Sequence, residues 1–298
     1  MNDWLTSDPN CFRSAIELKF FLEQFGPLTG RYHLTLPHTW RQEILNHYAK
    51  TGDLEKKRAE IVLQRAAERA ALYSREVESW KNEESWAANI ARYDDVHPTL
   101  LKAAVVPDLP EPTISSRKFV SLHDLNLPPT EEESILATPK EYLRVSQLLL
   151  RTRPELVFID PYMNPLDDRV FDVLNILFQE IAGGKCKKIT LYARQRVIEE
   201  AGGTCEKIER KLRTIKTQTG LTSSITYILV DDRRSRDRLH GRYLLSLKGG
   251  IRFEQGFQRL SRGRKVEIAP IGQAVLDGLI EKYIEGKNDL IFGNKFQL

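Results

Sequence analysis

The 298-residue sequence predicts an α/β protein preceded by an all-α N-terminal region, and three observations carry this prediction. The composition, with 41% hydrophobic and 29% charged residues, is that of an ordinary globular chain. The stretch 53–90 contains no Gly or Pro and is rich in Ala, Glu, Lys and Arg, which favours a long helix. After about residue 155, short apolar runs alternate with helical patterns, which indicates helices packed on a largely parallel sheet.

The same composition excludes several classes of protein. The longest apolar runs are shorter than the ~18 residues that a membrane helix needs. No charged start followed by an apolar stretch is visible, so we expect no signal peptide. The three cysteines, Cys11, Cys186 and Cys205, are widely spaced and form no Cys-x-x-Cys motif. We therefore predict a reducing, cytoplasmic location with no structural zinc, no other metal and no cofactor.

The first region, 1–102, is predicted to be helical and to contact a partner protein or a second copy of the chain. Ser14 and Glu17 have the spacing of a capping box, and a second helix is expected after Pro37. In the stretch 53–90 an apolar stripe recurs at helical spacing, namely Val62, Ala66, Ala70, Tyr73, Val77 and Trp80. At ~1.5 Å per residue one helix here would exceed 50 Å and could form a coiled coil. The alternative is an antiparallel hairpin broken near Asn82.

Prolines mark the boundary between the two predicted domains. Pro107, Pro110 and Pro112 interrupt the helical pattern, so we predict a linker over 103–138. A second capping box, Thr138 to Glu141 with a proline at the first helical position, then begins the α/β domain, 139–298. Its predicted strands are 156–159, 188–192, 225–230, 243–246 and 266–268, with helices from 139, 170, 199 and 275.

Positive charge is concentrated in one segment of the chain. Residues 206–265 contain 16 Lys and Arg against 6 Asp and Glu, a net +10, whereas the whole chain carries +4. A local basic field is typical of a protein that binds a polyanion, and the candidates are nucleic acid and, less favoured, an acidic membrane. The alternative is a solvated basic face with no partner.

The predicted carboxyl ends of the strands hold the candidate functional residues, because ligands of open α/β sheets bind there. His240 and Arg242 are two residues apart, so on a strand they would share a face. An imidazole can attack phosphorus or protonate a leaving oxygen, and a guanidinium can bind the phosphoryl oxygens. Asp160 with Asp231 or Asp232 could instead hold Mg²⁺, although such carboxylates more often cap loops or pair with arginines.

The stretch 140–286 resembles the phospholipase D superfamily, and in particular the compact domain that follows microtubule-interacting-and-transport modules and its bacterial relatives. The resemblance rests on His240-Gly241-Arg242, on Gly249-Gly250, on the turn 255–258 and on the opening strand 157–162. It implies a mixed sheet flanked by helices and a metal-independent phosphodiesterase, acting as a nuclease. It also implies catalytic roles for His240 and Arg242, phosphate binding by Lys248, Arg252 and Gln258, and secondary roles for Asp160, Tyr162 and Glu254.

Departures from that family pattern leave two functions open. Arginine replaces the usual lysine at 242, Leu247 occupies the acidic position, and the Ser/Asn pair of the turn is absent. Only one copy of the motif is present, so an active enzyme requires a homodimer that brings two copies of His240 together. The resemblance implies a nuclease of DNA rather than RNA, for example in defence against foreign DNA. The alternative is an inactive module that binds nucleic acid or acidic membrane and recruits a partner protein.

Overall fold

The computed structural model describes residues 3–98, 100–110, 118–127 and 132–298, and the chain divides into two compact units, 1–130 and 131–298. Over these described ranges both units combine strands with helices, so the predicted α/β class is confirmed. Pro112, one of the prolines on which the linker prediction rests, lies outside these ranges, as do residues 128–131. Among the described residues, no helix combines the length and the apolar character needed to cross a bilayer.

The first unit is built on a parallel sheet with the strand order β3-β2-β1-β4-β5. Its elements are β1 (Asp3–Ser7), α1 (Ala15–Glu23), β2 (Arg31–Thr35), α2 (Trp40–Ala49), α3 (Asp53–Glu68), β3 (Leu72–Ser74), α4 (Trp86–Val96), β4 (Leu101–Val106) and β5 (Phe119–Ser121). The all-α prediction for 1–102 is therefore wrong. Its strands are three to six residues long, and β2 buries the polar side chains of Arg31, His33 and Thr35. Such strands show neither a long apolar run nor an alternating pattern.

The single long helix predicted over 53–90 is also wrong. α3 ends at Glu68, Ala70 adopts a left-handed φ of 58°, and the chain continues as β3. The break therefore lies at Ala70 and not near Asn82, the position in the hairpin alternative. Helix propensity is a weak preference, and pairing of β3 with β2 overrides it here.

The segment predicted as a linker, 103–138, contributes strands to the structure. β4 and β5 pair with each other in the first sheet, and β6 (Glu133–Leu136) pairs in the sheet of the second unit. Prolines at 107 and 110 follow β4 directly, so they end a strand instead of separating two domains.

The second unit contains an eight-stranded mixed sheet with the order β13-β9-β8-β7-β10-β11-β12-β6. After β6, its elements are α5 (Pro139–Thr152), β7 (Glu155–Ile159), α6 (Asp168–Ala182), β8 (Lys188–Arg194), α7 (Gln195–Glu200), α8 (Cys205–Thr219), β9 (Ser224–Val230), β10 (Tyr243–Ser246), β11 (Gly249–Phe253), β12 (Lys265–Pro270), α9 (Gln273–Tyr283) and β13 (Phe292–Gln297). β7, β8 and β9 are parallel, and the remaining neighbours are antiparallel. The carboxyl ends of the three parallel strands therefore lie side by side.

Candidate functional site

A cavity of about 610 Å³ opens in the second unit beyond the carboxyl ends of β8 and β9. Its lining comes from the end of β8, from α7 and from the loop 231–242 that follows β9. The lining residues are Arg194, Gln195, Arg196, Glu199, Asp231, Asp232, Arg233, Arg234, Arg238 and His240. Five arginines thus face three carboxylates at the edge of the sheet where α/β proteins bind ligands.

The carboxylates of the cavity are engaged by the protein itself. Asp232 forms an ion pair with Arg194, both side chains being largely buried, and also accepts a hydrogen bond from the backbone N–H of Leu239 at 3.3 Å. Asp231 accepts from the backbone N–H of Arg233 at 3.1 Å, and Glu199 accepts from the side chain of Gln195 at 2.6 Å. These acids therefore stabilise the loop and the first turn of α7, and they neutralise only part of the arginine charge.

Arg233 and Arg238 are the two arginines of the cavity without an ion-pair partner among the described residues. Both are exposed, and neither has a carboxylate within ion-pair distance among the residues that the structure describes. By contrast, Arg196 lies 3.5 Å from Glu200. A guanidinium presents five N–H donors in a planar fork that matches phosphate oxygens. The cavity therefore presents two unpaired guanidinium groups to solvent.

His240 also lines this cavity, and its imidazole is exposed. It lies in the loop before β10, which begins only at Tyr243. The prediction that His240 and Arg242 share one face of a strand is therefore wrong, because both residues precede the strand. The imidazole nevertheless faces an anion-accepting surface and not the hydrophobic interior.

Arg242 is partly buried, is held by three groups and does not line the cavity. Its Nη1 donates to the carbonyl oxygen of Glu254 at 2.8 Å, and its Nε lies 3.7 Å from Oδ1 of Asp160. Its guanidinium carbon is 5.3 Å from the centre of the Tyr162 ring. These contacts tie the loop before β10 to the ends of β7 and β11, which is a positioning role.

Asp160, the residue after β7, connects two loops at this edge of the sheet. Its carboxylate is almost completely buried and accepts hydrogen bonds from the backbone N–H groups of Tyr162, at 2.9 Å, and Phe257, at 3.0 Å. Burial raises the pKa of Asp160, while the two N–H groups and the Arg242 guanidinium act in the opposite direction. Gly256 has a left-handed φ of 74°, and a Cβ built on it would lie 2.1 Å from Oδ2 of Asp160. Only glycine allows this approach.

Tyr162 presents a half-exposed ring beside the cavity, with 48% of the residue accessible. The guanidinium carbon of Arg194 lies 5.6 Å from the ring centre, and Arg194 itself lines the cavity. The hydrogen bond to Asp160 holds the backbone of Tyr162, and the guanidinium carbon of Arg242 also lies over its ring, 5.3 Å from the centre.

The other predicted site residues are not brought to the cavity. Lys248 lies in the tight turn between β10 and β11, at the opposite edge of the sheet from His240. Arg252 pairs with Glu132 at 3.0 Å. The Gln258 amide donates to the carbonyl oxygen of Gln255 at 3.3 Å, and the Glu254 carboxylate accepts from the backbone N–H of Glu267 at 3.4 Å. The β10–β11 hairpin carries Lys248 to the opposite edge of the sheet, whereas Glu254 and Gln258 follow β11 and lie at the same edge as the cavity without lining it.

None of the five arginines that line the cavity was among the predicted site residues. The signal for Arg233, Arg234 and Arg238 was present, since they belong to the +10 segment and lie in the loop after a predicted strand. Arg194 and Arg196 precede that segment, and only the parallel pairing of β8 with β9 brings them to it.

The alternative of a magnesium site receives no support from the placement of its carboxylates. Asp160 bonds backbone N–H groups and Asp232 pairs with Arg194. Within the described ranges, no group of three or more His, Cys, Asp or Glu side chains is arranged to hold a metal ion.

Comparison with known proteins assigns no family. No family model matches the chain, and no curated protein matches it. Among solved structures, the chain is similar to TrmBL2, an archaeal chromatin protein described as showing a novel mode of DNA binding, with a TM-score of 0.30 and 11% identity over 85% of this chain and 82% of that one. A likeness at this level carries no argument about fold or function.

Proposed function

We propose that the second unit, 131–298, binds nucleic acid through its phosphates at the arginine-lined cavity. One observation carries the proposal: Arg233 and Arg238 are exposed at the carboxyl edge of the sheet with no carboxylate partner among the described residues. Exposed guanidinium groups at such an edge attract polyanions and make bidentate contacts with phosphate.

The charge of the surrounding chain supports a polymeric anion over a small one. The loop 231–242 contains five arginines against three aspartates, and it belongs to the 206–265 segment with net charge +10. A small phosphate ester needs one or two cations, whereas a polynucleotide gains affinity from each additional phosphate that is neutralised. We therefore expect binding that weakens steeply as salt is added.

The test measures binding of fluorescent DNA and RNA oligonucleotides, single- and double-stranded, by anisotropy from about 50 to about 200 mM salt. The double variant Arg233→Gln/Arg238→Gln should lose affinity about 30-fold, at roughly 1 kcal/mol for each lost contact. For a single strand, the negative slope of log affinity against log salt concentration should become shallower by about 1.4. The matched control is Lys185→Gln/Lys187→Gln, which removes the same charge from exposed positions before β8, at the opposite edge of the sheet.

Equal affinity of the wild type and the arginine variant, or binding that is insensitive to salt, would overturn the proposal. A comparable loss in the lysine control would show that net charge, and not this cavity, determines binding. Comparison of DNA with RNA in the same assay decides the predicted preference for DNA.

Phosphodiesterase activity of the phospholipase D type is the second candidate, and the exposure of His240 in the same cavity favours it. In the proposed step, a His240 nitrogen attacks phosphorus while the ester oxygen leaves with a proton from the partner subunit's His240. Water then attacks phosphorus and gives a proton to the partner subunit's His240, while the phosphorus–nitrogen bond breaks and frees the first imidazole. Cleavage in EDTA that is lost in His240→Ala would support this function. Cleavage that persists in that variant, or that requires added metal, would refute it.

A further inference from the structure

The loop 254–264 lies at the same edge of the sheet as the arginine-lined cavity. β10 runs antiparallel to β7, with Tyr243 opposite Ile159 at the end of that strand, and β11 runs antiparallel to β10, with Arg252 opposite Tyr243. β11 therefore ends where β7, β8 and β9 end. The hydrogen bond from the Phe257 N–H to Asp160 joins the two loops directly.

This loop carries a second group of unpaired cations. Arg262 and Arg264 in this loop, and Lys265 at the start of β12, are exposed, and none has a carboxylate within ion-pair distance in the part of the chain that the structure describes. Arg259, by contrast, pairs with Asp172 at 2.5 Å. Over 254–265 the sequence has four basic residues against one acidic residue. The edge of the sheet thus has a cationic group at each side of β7 and not one isolated pocket.

Tyr162 stands between these two cationic groups. It follows β7, which has β8 and β9 on one side and β10 and β11 on the other. Its ring is half-exposed, the guanidinium carbons of Arg194 and Arg242 lie over it at 5.6 and 5.3 Å from its centre, and its backbone N–H donates to Asp160. An exposed aromatic ring among basic groups is the arrangement that single-strand binding proteins use, because unpaired bases stack on such rings.

We propose that a single strand of nucleic acid crosses this edge with one base stacked on Tyr162. Its phosphates contact Arg233 and Arg238 at one end and Arg262 and Arg264 at the other. This inference rests on the proposed function, since it extends the same phosphate-binding cavity. The half-exposed ring, in addition to the charge, favours nucleic acid over an acidic membrane, because a lipid headgroup layer offers no base to stack.

The spacing of the strands gives the length of the binding site. Neighbouring strands lie ~4.8 Å apart, so the four to five intervals from β9 to β11 and β12 span roughly 19–24 Å. At the ~3.4 Å rise of one stacked strand, about six or seven nucleotides cover this distance. An oligonucleotide of about four nucleotides can therefore contact only one of the two cationic groups.

The experiment measures anisotropy with fluorescent oligothymidylates of about 4 and about 12 nucleotides and a duplex of about 12 base pairs, using the full chain. Tyr162→Ala should weaken binding of the longer single strand by about fivefold to about 150-fold and leave the duplex unchanged, whereas Tyr162→Phe, which keeps the ring, should bind as the wild type does. Arg262→Gln/Arg264→Gln should weaken binding of the longer strand but not of the shorter one. Lys185→Gln/Lys187→Gln is the matched control, and thermal unfolding checks that each variant is folded.

The outcomes separate this inference from the proposed function. Loss of binding in Arg233→Gln/Arg238→Gln without any effect of Tyr162→Ala or Arg262→Gln/Arg264→Gln overturns the inference and leaves the cavity as the binding site. No effect of any of these variants overturns both. Equal losses of duplex and single strand in Tyr162→Ala also overturn it. Binding to phosphatidylserine vesicles that depends on the same arginines, with none to oligonucleotides, assigns the edge to a membrane instead.

Discussion

Gly256 approaches Asp160 more closely than any other residue could, and replacing it with alanine gives a quantitative test of this contact. The new Cβ would lie 2.1 Å from Oδ2 of Asp160 and 3.0 Å from Cδ of Arg242, and the backbone φ of 74° is unfavourable for alanine. The left-handed conformation costs roughly 1–2 kcal/mol. Displacing the carboxylate also disrupts its charge-assisted hydrogen bond to the Phe257 N–H, worth about 1.5–3 kcal/mol. We therefore expect Gly256→Ala to lower the free energy of unfolding by roughly 3–5 kcal/mol.

Gly263 provides a matched control in the same loop. Its φ is 83°, so alanine has a comparable conformational cost, but nothing lies within 4 Å of an added Cβ. Gly263→Ala should therefore cost only roughly 1–2 kcal/mol. Urea unfolding followed by circular dichroism measures both values. Equal destabilisation by the two substitutions would refute the argument, because it would leave no cost for displacing Asp160.

Two further predictions concern the first unit. Burial among aromatic rings lowers the pKa of His33 to about 3, whereas its pKa in the unfolded chain is about 6.5. Between these two values only the unfolded chain binds the proton, so the free energy of unfolding should fall by about 1.4 kcal/mol for each pH unit as the pH drops from about 6.5 towards 3. Urea unfolding between pH 7 and pH 5 should show a shallower dependence for His33→Gln, and an unchanged slope would contradict this reasoning. Ala70→Gly removes the strain of a left-handed φ of 58° and should raise the free energy of unfolding by about 0.5–1 kcal/mol in the same assay. A lower free energy of unfolding would show that packing of the alanine methyl group contributes more than the left-handed backbone costs.

The elements predicted correctly are those with strong local signals. The Ser14 hydroxyl accepts from the Glu17 N–H at 3.2 Å and the Thr138 hydroxyl from the Glu141 N–H at 3.4 Å, which is the hydroxyl half of each predicted capping box. The reciprocal half is not formed, because the Glu17 carboxylate accepts from the Arg13 N–H and the Thr138 N–H donates to the Leu136 carbonyl oxygen. The apolar strands β7, β8 and β9 and the amphipathic helices between them follow from periodicity, since burial of one helix face or of a whole strand requires that pattern. By contrast, β2 carries three buried polar side chains and β11 begins with two glycines, so no local pattern distinguishes these strands from loops.

The α/β class, the helix starts and the basic segment follow from local sequence, because capping, periodicity and charge depend on residues that are neighbours along the chain. The set of basic residues that lines the cavity depends instead on how distant segments pair. Arg194 and Arg233 meet at one cavity because β8 and β9 are adjacent parallel strands, and Asp160 reaches the Phe257 N–H because a hairpin returns the chain to the end of β7. Such pairings are long-range, and their stability comes from burial of the whole sheet, which no single segment encodes.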